Sequence, residues 1–325
     1  MLRRNSSPSK LRLALAVGSM IALAIAVHIG LTGQLPFLHR VNVWSIAIYE
    51  GESPFDLHPT HEILALTAEQ VDDVPALFVA DPFLYQHKGQ QWMFFELLNQ
   101  STSQGDIGVA RQTDDGQWHY EQIVLDESFH LSYPRVFAWE GEIYLVPESA
   151  ATDEVRLYRA AQFPYQWEFV RTLVRQHRLA DPTLFRHEDR WWMFAGESHT
   201  HDRLRLYHAE QLEGPWVEHA ESPLRESRPD LARPGGSVFR WQGKQYRLGQ
   251  NCSPKYGRAL NAFEIEEIDE SCYRELPGQH ILSAGDAGWN SAGMHHADIY
   301  QLENGRWVAA VDGHQKRWIL KFGLP

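Results

Sequence analysis

Short apolar runs bounded by polar turns follow one another from about residue 80 to the end of the chain. Their period of roughly 50 residues is that of propeller blades, and no segment there keeps the 3.6-residue spacing of a long helix. Each unit opens with a strand that closes on an aromatic side chain: Asp81-Pro-Phe-Leu-Tyr85, Tyr133-Pro-Arg-Val-Phe137, Asp181-Pro-Thr-Leu-Phe185, Gly235-Gly-Ser-Val-Phe239 and His296-Ala-Asp-Ile-Tyr300. The closing aromatics stand 52, 48, 54 and 61 residues apart. A tight polar turn follows each one, at Lys88-Gly89, Glu140-Gly141, Glu188-Asp189, Gln242-Gly243 and Asn304-Gly305, of the kind that closes a β-hairpin. The hairpin partners run Trp92 to Glu96, Ile143 to Glu148, Trp191 to Glu197, Tyr246 to Gln250 and Trp307 to Asp312. Their last polar residue falls 11 or 12 positions after the closing aromatic every time.

Third strands follow at Ile107 to Arg111, Val155 to Ala160, Leu204 to Ala209 and Ala259 to Ile265, and fourth strands begin at Trp118, Trp167, Trp216 and near Tyr273. In the fifth unit Trp318 to Phe322 reads as the third strand. The missing outer strand is then Val43 to Tyr49, which closes the ring and removes its exposed edges. The pattern predicts an all-β, five-bladed β-propeller over residues 34–325, with blades starting near 81, 133, 181, 235 and 296.

The first 33 residues follow another rule. Arg3, Arg4, Lys10 and Arg12 form a basic stub over 1–12, and 13–33 contains no charged residue apart from the weakly basic His28. About 20 apolar residues span a bilayer, and basic flanking residues keep their side in the cytosol. A transmembrane signal anchor is expected over 13–33, with the propeller outside the cytosol, whether periplasmic, extracellular or lumenal. A cleavable signal peptide ending near Ala24-Ile25-Ala26 is the alternative, and it also exports the domain.

Charge narrows the partners. Residues 1–33 hold four of the 30 Lys+Arg and none of the 42 Asp+Glu, so the remainder carries 26 basic against 42 acidic residues, a net −16. Such a surface repels phosphate backbones, which argues against nucleic acid and leaves neutral sugars compatible. The two cysteines, Cys252 and Cys272, could pair in an oxidising compartment or stay as separate thiols.

The start of each inner strand and the end of its hairpin partner open on one rim. That places Asp81, Arg135, Asp181, Arg233 and His295 or His296 on a ring, with Glu96, Glu148, Glu197, Gln250 and Asp312 just outside it and Asp298 on the fifth inner strand. Asp81 before proline could instead cap a turn. Glu148 and Glu197 could be ion-pair partners of the rim arginines. Tyr133 and Trp289 are the candidates to stack on a sugar. No metal or other cofactor is expected, because the His295-His296 pair lacks a third ligand at a recognisable spacing.

The pattern resembles the five-bladed propellers of glycoside hydrolase family 43 and its relatives in families 32, 62 and 68. That resemblance implies Asp81 as catalytic base and Asp181 as the group that orients and tunes the acid, on the matching Ala80-Asp81-Pro82 and Ala180-Asp181-Pro182. The fourth blade departs from it, since Ala232-Arg233-Pro234-Gly235-Gly236 stands where that family keeps its general-acid glutamate. A glycosidase needs two carboxyl groups flanking the bond, so Glu148 or Glu197 would have to supply the acid.

Trp44 to Tyr49, Ala80-Asp-Pro-Phe83, Tyr133-Pro-Arg-Val-Phe137, Pro147-Glu148-Ser149, Asp181-Pro-Thr-Leu-Phe185 and Arg233-Pro-Gly-Gly-Ser237 together are similar to the N-terminal domain of plant glucosamine inositolphosphorylceramide transferases. This likeness implies glycan or glycolipid biology. The expected function is action on a glycosidic bond, by hydrolysis or transfer, with a non-catalytic glycan-binding module as the alternative. Arg135 and Arg233 would then hold an anionic or nucleotide-linked sugar.

Overall fold

The computed structural model describes residues 8–32, 38–60, 64–175, 177–286 and 288–320. The chain forms two compact units, the larger being Val43–Gln315. The smaller contains α1 (Pro8–Thr32), a helix of 25 residues whose Leu13, Leu15, Met20 and Leu23 are exposed. Of the expected span, the side chains of Ala14, Ile21, Ala24 and 30–33 lie outside the described residues, as do residues 1–7 of the basic stub. Among the described residues no helix is long and apolar enough to cross a membrane.

The larger unit is the expected propeller. After β1 (Leu38–Gly51) and β2 (Leu57–Pro59), blade one is β3 (Ala76–His87), β4 (Gln90–Asn99), β5 (Gln104–Gln112) and β6 (Trp118–Leu125). Blade two is β7 (Ser132–Trp139), β8 (Glu142–Glu148), β9 (Glu154–Gln162) and β10 (Gln166–Arg175). Blade three follows as β11 (Leu179–His187), β12 (Arg190–Glu197), β13 (Leu204–Ala209) and β14 (Val217–Glu218). Blade four has β15 (Phe239–Trp241), β16 (Lys244–Asn251), β17 (Ala259–Ile268) and β18 (Tyr273–Glu275), with β19 (Gln279–Ser283) also pairing β17. β20 (Ala297–Gln301) and β21 (Trp307–Leu320) begin blade five, whose sheet runs β20, β21, β1, β2.

Ring closure therefore uses the N-terminal chain as expected, with a different assignment of strands. β21 continues unbroken past Asp312 for 14 residues, so Trp318 belongs to the second strand and not to a third; Phe322 lies outside the described residues. β1, also 14 residues long, is the third strand, and β2 is the outer one. β1 and β21 are neighbours in the sheet, and nothing between Asp312 and Trp318 supplies the turn a further strand would need.

The hairpins close as their sequences dictate. Lys88 and Gly89 have φ of 50° and 81°, Glu140 and Gly141 51° and 86°, Gln242 and Gly243 50° and 78°. Two successive left-handed residues match the twist of the flanking strands. Strands in a blade are apolar on both faces because each blade packs against two others, and the core is accordingly divided into five seams. Phe94, Ile107, Val136 and Leu145 fill the seam between blades one and two. Val146, Leu157, Trp191 and Met193 fill the next. Phe194, Leu206, Ile265 and Tyr273 join blades three and four, and Tyr246, Leu248, Ile299 and Trp307 join four and five. Ile46 and Ala310 meet Val79 and Met93 where the ring closes.

Candidate functional site

The inner strands of blades one, two and three begin with the same irregularity. Asp81, Tyr133 and Asp181, each followed by proline, adopt left-handed backbones with φ of 50°, 49° and 51°. Pairing with the second strand slips at each point, between Ala80 and Phe83, Ser132 and Arg135, and Ala180 and Thr183. Proline has no N–H for the ladder, so the strand bulges there, and the bulge turns the preceding side chain into the channel. Such a backbone costs about 1–3 kcal/mol in a residue other than glycine and is kept where the surroundings over-determine it.

Those surroundings are carboxylates. The Asp81 N–H donates to Asp312 Oδ2 at 3.0 Å, and the Asp181 N–H donates to Glu148 Oε2 at 3.1 Å. In each case the acceptor lies on the second strand of the preceding blade, Glu148 at the end of β8 and Asp312 within β21, so one device is used twice around the ring. Blade four replaces the aspartate with Gly235. A Cβ on Gly235 would lie 2.8 Å from the His295 carbonyl oxygen, and one on Gly236 only 1.8 Å from that of Ala297. The glycines are there because blades four and five touch backbone to backbone, and this is why no carboxylate stands at that position.

Asp181 lies at the centre of one half of the site. It is fully buried and receives Arg233 Nε at 2.6 Å, Arg233 Nη2 at 3.1 Å and Gln250 Nε2 at 2.8 Å. Burial works to raise it, but the Arg233 charge and these bonds hold its carboxyl below the usual range. Glu148 beside it is pushed up to about 8, first by burial and then by the charge of Asp181, to which it hydrogen-bonds as the protonated partner. Arg233 reaches Glu148 as well, at 3.4 Å, and its other arm meets His201 Nδ1 at 2.7 Å. Its guanidinium also lies 5.1 Å from the centre of the Tyr256 ring.

The other half gathers around Asp81. Asp312 is spent on structure, since it accepts from the His295 N–H, the His296 N–H and His295 Nδ1 as well as from Asp81. Burial opposes its ionisation, yet His295 beside it keeps it below the usual carboxylate range. Among the described residues the Asp81 carboxyl accepts no hydrogen bond, and the nearest ring nitrogens are His296 Nδ1 at 3.7 Å and His295 Nε2 at 3.9 Å. Burial, followed by the charges of Asp312, Asp181 and Glu96, raises Asp81 well above the usual range. His296 Nε2 donates to the Pro82 carbonyl, and burial holds the ring neutral down to about 4. Glu96, 3.4 Å from His130, is raised by burial and then by Glu148. Ligand atoms of Asp81, His295 and Asp312 lie within 4.8 Å of one another, but the bonds already held by Asp312 leave it little capacity for a cation.

Several expected site residues lie elsewhere. Tyr133 is not a stacking surface at the rim: it is fully buried across the channel, where its hydroxyl meets Thr183 Oγ1 at 2.7 Å and accepts the Gly236 N–H at 2.7 Å. With Phe83 and His296 edge-on to it, it forms an aromatic plug. Arg135 and Asp298 stand two residues farther along their strands than the rim positions, and line a different cavity. Glu197 is bonded by Arg205 at 2.7 Å and approached by Arg203, away from the carboxyl cluster. Trp289 packs partly buried against the core beside Gly313. Both cysteines are free thiols.

Four contributors had no sequence signal of this kind. Trp44 stacks on His295 at 4.0 Å from within the closing strand, whereas His130, His201 and Tyr256 come from irregular connections without periodicity. The rim is therefore a buried cluster of five carboxyl groups around a guanidinium that is already bonded to two of them.

Residues 40–314 match the family described as "Glucosamine inositolphosphorylceramide transferase 1, N-terminal". The protein is 38% identical over 296 residues to Glucosamine inositolphosphorylceramide transferase 1 of Oryza sativa subsp. japonica, covering 83% of this chain and 40% of that one. It is 34% identical over 297 residues to the Arabidopsis thaliana protein of that name, covering 83% and 39%. The chain thus spans about two fifths of the length of these relatives. Among solved structures, an exo-β-1,3-galactanase from Clostridium thermocellum superposes with a TM-score of 0.58 at 12% identity, over 70% of this chain and 54% of that one. The α-L-arabinanase of Cellvibrio cellulosa gives 0.55 at 15%, over 75% and 93%, and both share the fold.

Proposed function

Because the chain belongs to the family of the N-terminal domain of glucosamine inositolphosphorylceramide transferase 1, we propose that its propeller acts on a glycosidic bond of a glycan or glycolipid. Glu148 is the proton donor and Asp81 the base or nucleophile. The observation that carries this reading is the buried contact of Glu148 with the Asp181–Arg233 pair, which together with burial raises Glu148 to about 8, beside an Asp81 carboxyl that accepts no hydrogen bond among the described residues. In a glycosidase one carboxyl is kept as an acid by burial and a neighbouring charge while the other acts ionised. Glu148 suits the first part, and Asp81, itself raised by burial, must release its proton before it takes the second. Glu148 gives its proton to the departing glycosidic oxygen, and Asp81, once ionised, takes one from water or attacks the sugar carbon itself. Asp181 and Arg233 hold Glu148 in place.

The excess of carboxyl groups over free cations suits a sugar bearing hydroxyls or an ammonium group. The relatives' name includes glucosamine, so aryl glucosaminides are the first substrates to try, followed by arabinofuranosides, xylosides and galactosides. With the full chain, Asp81→Asn and Glu148→Gln are each expected to lower kcat by at least ~100-fold with little change in melting temperature. Activity should fall as pH rises through about 8, where Glu148 loses its proton. Unchanged turnover by Glu148→Gln would remove it as the acid.

A non-catalytic glycan-binding role is favoured by one observation, the glycines that exclude a carboxylate from blade four. Saturable glycan binding that Glu148→Gln leaves intact, with no product from any substrate class, would establish it.

We also propose that the propeller works outside the cytosol, tethered to a membrane through α1. The basic flank and the uncharged run of 13–33 support this. Protease added to sealed membranes should cut the propeller only from the non-cytosolic side.

A further inference from the structure

The channel has a second cavity, separate from the carboxyl funnel, between the ends of the inner strands. It measures about 390 Å³ and is lined by Tyr85, Arg135, Ser237, Arg240, Asp298 and Tyr300 among others. Its electrostatics are opposite to those of the funnel. Arg135 reaches it from β7 with its guanidinium 5.8 Å from the centre of the Phe83 ring, and its Nε–H is buried without a hydrogen-bond partner. Nη1 is 3.9 Å from Asp298 Oδ1, beyond hydrogen-bond reach.

Asp298 pairs with Arg135 only loosely, at 3.9 Å, and each of its oxygens already accepts a shorter hydrogen bond. Oδ1 accepts the Ser237 hydroxyl at 2.5 Å, and Oδ2 accepts the Leu84 N–H at 2.8 Å. Arg240, the second cation on the wall, is exposed and has no ion pair among the described residues. A guanidinium offers five donors in a planar fork. Only the Nε–H of Arg135 is buried without a hydrogen-bond partner, while the side chain is 22% exposed toward the cavity. A buried donor left unmet costs free energy, and native structures keep one where a partner arrives from outside.

We infer that this second mouth binds a sugar-sized ligand bearing an oxyanion, either carboxylate or phosphate, held in the fork of Arg135 and steered by Arg240. Planar oxyanions match the guanidinium two-pronged. The half-buried rings of Tyr85 and Tyr300 offer apolar faces for the body of the ligand, and the volume falls in the range of small-molecule sites, about 300–1,000 Å³. The inference does not depend on chemistry in the funnel, since Phe83, Tyr133 and His296 close the channel between the two.

The test titrates the full chain in detergent with inorganic phosphate, glucuronate and glucose, reading melting temperature and binding heat. Glucuronate or phosphate should bind saturably and stabilise the protein, while glucose should do neither. A response to phosphate alone assigns a phosphoryl ligand, and a response to glucuronate alone assigns a uronic acid. Arg135→Met should melt close to the parent without ligand, because it gives up only a long ion pair to Asp298 and a buried, unbonded Nε–H, and should lose at least tenfold in affinity. Should that variant not fold, Arg240→Gln at the exposed position should still weaken binding severalfold. Neither anion exceeding glucose would overturn the inference. An Arg135→Met protein that binds like the parent would overturn it too, as an adventitious ion only.

Discussion

Asp181 and Arg233 are the residues on which the funnel's charge balance turns. Arg233 is the guanidinium bonded inside a buried cluster that contains Asp81, Glu96, Glu148, Asp181 and Asp312. Removing one member of a buried pair leaves an uncompensated charge and costs about 3–5 kcal/mol. Arg233→Met should therefore lower stability by that order in a denaturant titration, with a larger loss at pH 8 than at pH 5, where Asp181 can take up a proton in its place. Adding Asp181→Asn should recover part of the loss, and no recovery would mean that Arg233 acts through packing on Tyr256. The aspartates were legible because proline follows each at the same point of alternate blades. The role of Arg135 was not. Two residues along a strand cover about 7 Å, enough to carry a side chain from one mouth of the channel toward the other, and the repeat alignment does not show on which side of the plug it falls. Tyr133 was misplaced for the converse reason, because an aromatic side chain beside a rim in sequence looks the same whether it faces the mouth or bridges the channel.

At the scale of elements, the bulged inner strands position the acids and the glycine seam excludes another. Blades one to four were legible because a tight polar hairpin turn marks each strand pair locally, with two left-handed residues in blades one, two and four and one, Glu188, in blade three. Blade five was legible only in outline, since the partner of β21 comes from the other end of the chain and no local turn records their equal length. The glycine seam gives a prediction of its own. Gly236 combines φ of 141° with a Cβ site 1.8 Å from the Ala297 carbonyl, whereas Gly89, φ 81°, has nothing within 4 Å of its Cβ site. Gly236→Ala should force blades four and five apart, while Gly89→Ala should cost about 1 kcal/mol from its backbone alone. Melting temperature and hydrogen exchange of the Ala297 amide, which bonds the Gly235 carbonyl at 2.9 Å, would show it. Equal losses in the two variants would mean that the seam relaxes freely.

For the whole molecule, the buried acids set how stability depends on pH. Asp81, Glu96 and Glu148 are raised by burial first and by one another's charge next, so the folded protein keeps protons that the unfolded chain has released. Each such proton makes stability fall as pH rises, by about 1.4 kcal/mol per unit, between the unfolded and folded pKa values. His296, held neutral by burial down to about 4, acts in the opposite sense, because below the ordinary histidine value the unfolded chain binds a proton that the folded ring refuses. The two effects offset one another below about pH 6.5, the ordinary histidine value. Above it only the acids act, so stability should decline from there to about 8, where Glu148 finally ionises. General repulsion in a chain of net charge −12 also grows with pH, and Glu148→Gln separates the two contributions, since it leaves that repulsion almost unchanged while removing one titrating proton. Denaturant midpoints at pH 6.5, 7.25 and 8 should fall for the parent and fall less steeply for Glu148→Gln. Parallel slopes would mean that Glu148 is already ionised in the folded protein, and the acid role proposed for it would go with that result.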